Sequence, residues 1–200
     1  MRPTRFLFCS AALACLLTLG ACSPSADSTA SMQESAPHTD SSQESTGQTG
    51  VLSAFSATDL EGNTVDQSIL ADYDLTMVNV WATFCGPCIN EMPDLGELAA
   101  EYADQGVQII GLVSDAMDSD GAISDSQVET AKDIVAETGA NYTHLLPSEN
   151  LYGVLSQIYA VPTTFFVDSE GVQVGDAIVQ AHSKEDWITI IDSMLAEVQG

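Results

Sequence analysis

The run Leu75-Thr76-Met77-Val78-Asn79-Val80-Trp81 is mostly apolar and rich in strand-forming residues, the pattern of a strand buried on both faces. Through Ala82-Thr83-Phe84 it feeds into Cys85-Gly86-Pro87-Cys88, and a helix is predicted from about Pro87 to Gln105. No other stretch constrains the fold as tightly as this strand-to-helix junction. Pro87 suits a first helical turn, where its missing N–H would have had no partner. Unpaired N–H groups and the helix dipole at that end favour negative charge on Cys85. The thiolate is the reactive form of cysteine, so the position activates Cys85 as a nucleophile. Cys88 falls one turn further in on the same face, near enough to close a disulfide and less open to attack from outside.

The rest of the body alternates between strand and helix signals. A short strand is expected over Val51 to Ala57, with a turn at Glu61-Gly62-Asn63 and a return at Thr64-Val65. Val107 to Val113 reads as a second buried strand, followed by an acidic loop from Asp115 to Asp125. Ser126-Gln127-Val128-Glu129 resembles a capping box opening a helix that ends near Gly139. A short strand at Thr143 to Leu146, a helix at Asn150 to Tyr159 and a strand at Thr163 to Val167 follow. Ser169-Glu170-Gly171 turns the last of these into Val172 to Gly175, and Ser183 caps a final helix reaching about Val198. Alternation of this kind places the chain in the α/β class.

Of five cysteines, only Cys85 and Cys88 lie in this body. Cys9 and Cys15 fall within residues 1–21, which read as an export signal: Arg2 and Arg5 precede an almost unbroken apolar run from Phe6 to Leu19. That run is short of the roughly 20 residues needed to span a bilayer. Leu19-Gly20-Ala21-Cys22 resembles the bacterial lipoprotein signature, which implies cleavage before Cys22, lipidation of its thiol and a firm membrane anchor. Residues 22–50 are dominated by Ser and Thr, lack aromatic residues, and are expected to form a flexible spacer with a reach of roughly 30 Å. The folded domain is expected over residues 51–200.

Charge narrows the partners. There are 29 Asp and Glu against 4 Lys and Arg, giving a net charge of −25. Such a surface repels phosphate backbones, which excludes nucleic-acid binding and suits basic or neutral partners. Asp115, Asp118 and Asp120 before Gly121 hint at a calcium loop, but the spacing fails, because Ala116 takes the first ligand position and no Glu follows at the twelfth. His144 and His182 have no cysteine beside them in sequence, and both are read as structural. No metal and no cofactor is expected. A soft-metal reading, with copper held or delivered by Cys85 and Cys88, is the alternative, and it has only two ligands to build on.

Three segments together resemble the thioredoxin superfamily, and within it the extracytoplasmic TlpA/ResA type. They are Trp81-Ala82-Thr83-Phe84-Cys85-Gly86-Pro87-Cys88 with Glu91-Met92-Pro93 after it, Val161-Pro162-Thr163-Thr164-Phe165, and Val167-Asp168-Ser169-Glu170-Gly171. Phe84 stands where the family usually carries Trp, and the acidic 115–125 loop has no match there. The resemblance implies a central mixed sheet flanked by helices, with an added N-terminal β-hairpin. It also implies a Cys85–Cys88 redox disulfide, in which Cys85 attacks a substrate disulfide and Cys88 resolves the mixed disulfide. Pro162 would be cis, with the Val161 backbone pairing with the partner chain; Trp81, Phe84, Gly86 and Pro87 would complete that surface. Glu91 would handle the proton of Cys88, and Asn79 stands where cytoplasmic thioredoxins carry a buried aspartate. The dipeptide Gly86-Pro87 is that of reducing thioredoxins. A reductase of protein disulfides follows, renewed by a membrane electron-donor protein. Its substrates would be apocytochrome cysteines before haem attachment, or other extracytoplasmic thiol proteins.

Overall fold

The computed structural model describes residues 50–200. The expected export signal, Cys22, His38 and nearly all of the spacer lie outside the described residues.

A five-stranded sheet forms the centre, in the order β5-β4-β3-β6-β7. Strand β3 (Leu75–Trp81) is buried along its whole length, as its apolar run requires. It pairs in parallel with β4 (Val107–Val113), with Trp81 opposite Val113, so both strands end at the same edge. On its other side β3 pairs antiparallel with β6 (Thr163–Asp168), which pairs with β7 (Gln173–Val179). Strand β5 (Thr143–Leu145) closes the far edge in parallel with β4. The separate hairpin of β1 (Ser56–Thr58) and β2 (Thr64–Asp66) turns at Asp59–Asn63, where both Asp59 carboxylate oxygens accept from Asn63. This is the thioredoxin-like α/β arrangement expected, added hairpin included.

Alternation along the strands splits the core. Val78, Val80, Ile110, Leu112, Phe165 and Val167 face the N-terminal segment and the short helix before β6. Leu75, Met77, Phe166 and Ile109 face α1 (Gly86–Tyr102) and α4 (Lys184–Gln199). Trp81, Val113 and Ala131 of α2 (Asp125–Thr138) enclose the cysteines at the end of the same face.

Several elements depart from expectation. The first strand begins at Ser56, because residues 51–54 turn against the Gly171 loop, with the Leu52 N–H donating to the Gly171 carbonyl. Helix α2 starts at Asp125 and has no capping box: Ser124 is the cap, and its hydroxyl meets Ser126 Oγ and not a backbone N–H. The helix expected over 150–159 is a 3-10 turn (Glu149–Leu151) and one α turn, α3 (Tyr152–Leu155). The Ser156 hydroxyl and the Gln157 amide both donate to the Gly153 carbonyl and stop it there. Strand β7 runs four residues beyond Gly175, past a bulge between Thr164 and Phe166.

Candidate active site

Strand β3 carries the chain to the sheet edge, and the Cys85 N–H then donates to the Ala82 carbonyl, closing the turn that opens α1. Cys85 is the helix cap: its φ/ψ is extended, and its Sγ accepts the Cys88 N–H at 3.2 Å. A cap sulfur in this position is where an N-terminal helix end stabilises negative charge most directly. Cys85 and Cys88 form a disulfide with Cα atoms 5.3 Å apart. Cys88 is fully buried and Cys85 is 5% exposed. Phe84, Gly86 and Pro87 around them are exposed, with Phe84 at 78%.

Above the pair lies the loop before β6. The Val161–Pro162 bond is cis. Val161 is half-buried and packs on the cluster that contains both cysteines. Phe84, Ser114, Leu155, Ile158, Tyr159 and Val161 line a shallow groove of about 290 Å³ beside it, and Tyr159 is 85% exposed. The structure thus brings Phe84, Val161 and the Cys85 loop to one surface.

Trp81 does not join them. It is wholly buried, and its indole N–H donates to His144 Nδ1 at 3.2 Å. That removes Trp81 from the expected partner-contact set, since no part of it reaches the surface. His144 Nε2 in turn meets the Ala140 carbonyl at 3.0 Å, so both ring nitrogens are committed. Burial holds the His144 pKa down at about 4.

Glu91 sits one helical turn beyond Cys88 and is buried. Asn79 Nδ2 donates to its Oε1 at 3.0 Å. The His182 N–H and the Trp187 indole N–H both donate to Oε2 at 3.2 Å. Burial raises the Glu91 pKa above the usual carboxylate range, the three donors pull it partly back, and Asp94 nearby adds to the rise. The arrangement is a buried carboxyl group one helical turn from a buried cysteine, with its affinity for a proton raised by burial.

Sequence reasoning missed two supports of this site. One is Asp115, placed in a discarded calcium-like loop. Its carboxylate accepts from the Thr83 N–H, from the Thr83 hydroxyl at 2.6 Å and from Gln127 Nε2 at 3.1 Å, and so clamps the turn into Cys85. Because β3 and β4 are parallel neighbours ending together, the residues just after them meet, a signal that the strand order alone supplies. The other is Trp187, which gave no local signal. Among the described residues no group of three or more His, Cys, Asp or Glu side chains converges on a metal geometry, and both candidate thiolates are paired with each other.

The AhpC/TSA family profile matches residues 50–173. The thiol-disulfide oxidoreductase ResA of Bacillus anthracis is 31% identical over 132 residues, covering 66% of this chain and 69% of the relative. The thiol:disulfide interchange protein DsbE of Yersinia pestis is 30% identical over 121 residues, covering 60% of this chain and 57% of the relative. The solved structure of MTB dsbF in mixed oxidised and reduced forms superposes with a TM-score of 0.58 at 20% identity, covering 74% of this chain and 99% of that one, which speaks to the fold. With the profile spanning more than half of its length, the chain belongs to the AhpC/TSA family, and it is a thiol-disulfide oxidoreductase of the ResA/DsbE type.

Proposed function

We propose that this oxidoreductase is a reductase of protein disulfides, tethered outside the cytoplasm by a lipidated Cys22 behind a cleaved signal of residues 1–21. Residues 22–50 serve as the spacer and residues 51–200 as the working domain. The observation that carries the reading is the asymmetry of the disulfide: Cys85 caps α1 and keeps 5% exposure between exposed Phe84 and Gly86, whereas Cys88 is fully enclosed one turn before Glu91.

In the reduced protein the Cys85 thiolate attacks one sulfur of a substrate disulfide. A bond from Cys85 to that sulfur forms, the substrate S–S bond breaks, and the first substrate thiolate leaves. Cys88 then gives its proton to ionised Glu91, and its sulfur attacks Cys85 Sγ. The Cys85–Cys88 bond forms, the mixed disulfide breaks, and the second substrate thiolate leaves. The substrate gains two electrons and the protein loses two. A dithiol on a membrane donor protein restores them. Phe84, Gly86 and Pro87, with the Val161 backbone before Pro162, form the surface that holds the partner chain. The acidic body favours a partner that is neutral or basic there. Reduction of apocytochrome cysteines ahead of haem attachment, or upkeep of other extracytoplasmic thiol proteins, fits this direction.

The test is the midpoint potential of the Cys85–Cys88 couple in defined thiol buffers. A reversible two-electron couple below about −220 mV supports the reductase, and a value near −120 mV would reverse its direction. In cells, labelled palmitate on the wild type and its loss in Cys22→Ser would establish the anchor; equal labelling of both would remove it.

A further inference from the structure

The segment that links β7 to α4 touches both halves of this site. The Gln180 N–H donates to the Pro162 carbonyl at 2.9 Å, and Gln180 itself sits in the left-handed region at φ 94. A non-glycine residue held there is uncommon and costs backbone energy, which the surrounding contacts must offset. Two residues on, the His182 N–H donates to Glu91 Oε2. Ser183 then caps α4, its hydroxyl accepting the Asp186 N–H, and the Trp187 N–H bonds the Ser183 carbonyl. This first turn points the Trp187 indole inward, fully buried, with the His182 ring edge-on to it at 5.0 Å.

Glu91 needs such a donor for a reason of charge. The folded body holds only two cations, Lys132 and Lys184, and their ion pairs run to Glu129 and to Glu97 and Glu101. Among the described residues neither lysine pairs with Glu91, so its ionised form leans on the N–H donors around it. Asn79 divides its amide between Glu91 and Thr164 Oγ1. The indole has one N–H, and it goes wholly to Oε2.

We propose that Trp187 is a positioning residue for Glu91, its indole N–H fixing one carboxylate oxygen so that the other side of the reaction, proton loss from Cys88, has a prepared acceptor. The proposal rests on the assignment of Glu91 as that acceptor. Other titratable groups lie near Glu91: Asp94 on α1, Tyr142 from the segment before β5, His182, whose ring packs on Trp187, and the cysteines one turn back. They are common to all variants below, so the comparison isolates the indole.

Reduced protein is mixed with a small aromatic disulfide. The first thiol released reports attack by Cys85, and the second reports attack by Cys88. The pH profile of the second step is recorded for the wild type, Glu91→Gln, Trp187→Phe and a protein with Trp187 replaced by its benzothienyl analogue. That analogue keeps the indole shape and carries sulfur for N–H, so it covers the case in which Trp187→Phe fails to fold. In parallel, the infrared carboxylic stretch lost in Glu91→Gln is titrated. Losing one bond to a charged group should move both the kinetic inflection and the infrared transition upward by about one pH unit. If Glu91→Gln abolishes the inflection but neither Trp187 variant moves it, Trp187 only fills space and the proposal falls. If Glu91→Gln leaves the inflection in place, the assignment of Glu91 itself falls.

Discussion

Two buried titratable side chains lie against the same face of β3, and they are built in opposite ways. Glu91 meets Asn79 and is ringed by three donors, an environment arranged for its ionised form in a place that burial makes hostile to it. His144 meets Trp81 and uses one nitrogen to accept and the other to donate, an environment that fits only the neutral ring. A proton added to His144 would set two N–H groups against each other. A proton added to Glu91 removes a buried charge, and Asn79, whose buried Oδ1 has no partner among the described residues, can turn its amide to accept it. The first pocket tolerates both protonation states, as a proton carrier must. The second tolerates one, as a structural joint should. That both groups are buried therefore says little about function; the donor and acceptor count around each says more.

The comparison breaks most visibly at Glu91. Glu91→Gln should slow the second thiol release by about 10²-fold, the scale of a lost general base, while the first release stays near wild type. Equal slowing of both releases would make Glu91 a structural residue like His144. Next in size, His144→Phe should leave both releases unchanged and lower stability by about 2 kcal/mol at neutral pH, because the Trp81 N–H and the Ala140 carbonyl lose their partner. A loss of resolution rate with unchanged stability would place His144 in the chemistry.

Their pH signatures run in opposite directions. His144 has a folded pKa near 4, below the 6.5 of the unfolded chain, so the stability it contributes is present above 6.5 and is lost as pH falls toward 4. The span corresponds to about 3 kcal/mol at most. Glu91 has a raised folded pKa, so its contribution is fully present below the unfolded value of 4.5 and is lost as pH rises through the folded one. Urea unfolding against pH should show an acid limb that flattens in His144→Phe. Glu91→Gln should instead add stability on the alkaline side of that limb. An acid limb unchanged by His144→Phe would mean that the ring titrates freely in the native state.

The two pockets also differ in how far the sequence announces them. Cys85, Cys88 and Glu91 follow one another at steps of three residues along the cap and first turns of one helix, and helical spacing is enough to set them on one face. The buried run before them and the X-Pro loop at Val161 were equally local. Trp187 lies 96 residues from Glu91, and His144 lies 63 from Trp81. No periodicity links such positions; strand order and register do. Asp115 shows the same limit, since a run of acids suggested a cation when the residue's partners were the Thr83 N–H and hydroxyl across β3 and β4. The aborted helix after Asn150 failed for a smaller reason. Two side chains competed for one carbonyl, at Gly153, and propensity does not count such contests.

The smallest effect expected belongs to the residue between the pockets. Tyr142 tilts its ring over His144 at 4.4 Å, and its hydroxyl feels the charge of Glu91. That hydroxyl is buried and has no hydrogen-bond partner among the described residues, and burial pushes its pKa up. An unpaired buried hydroxyl costs free energy, so Tyr142→Phe should be neutral to stabilising, by about 1 kcal/mol, with the ring contact to His144 kept. The acid limb set by His144 should not move, because the hydroxyl touches neither of its nitrogens. The inflection set by Glu91 should shift only slightly, since a neutral dipole is removed and no donor to the carboxylate is lost. Urea unfolding and the second-release profile on the same variant separate these outcomes. A clear loss of stability would mean that the hydroxyl bonds a group in solution. A large shift in the inflection would join the two pockets into one proton network and end the distinction between carrier and joint.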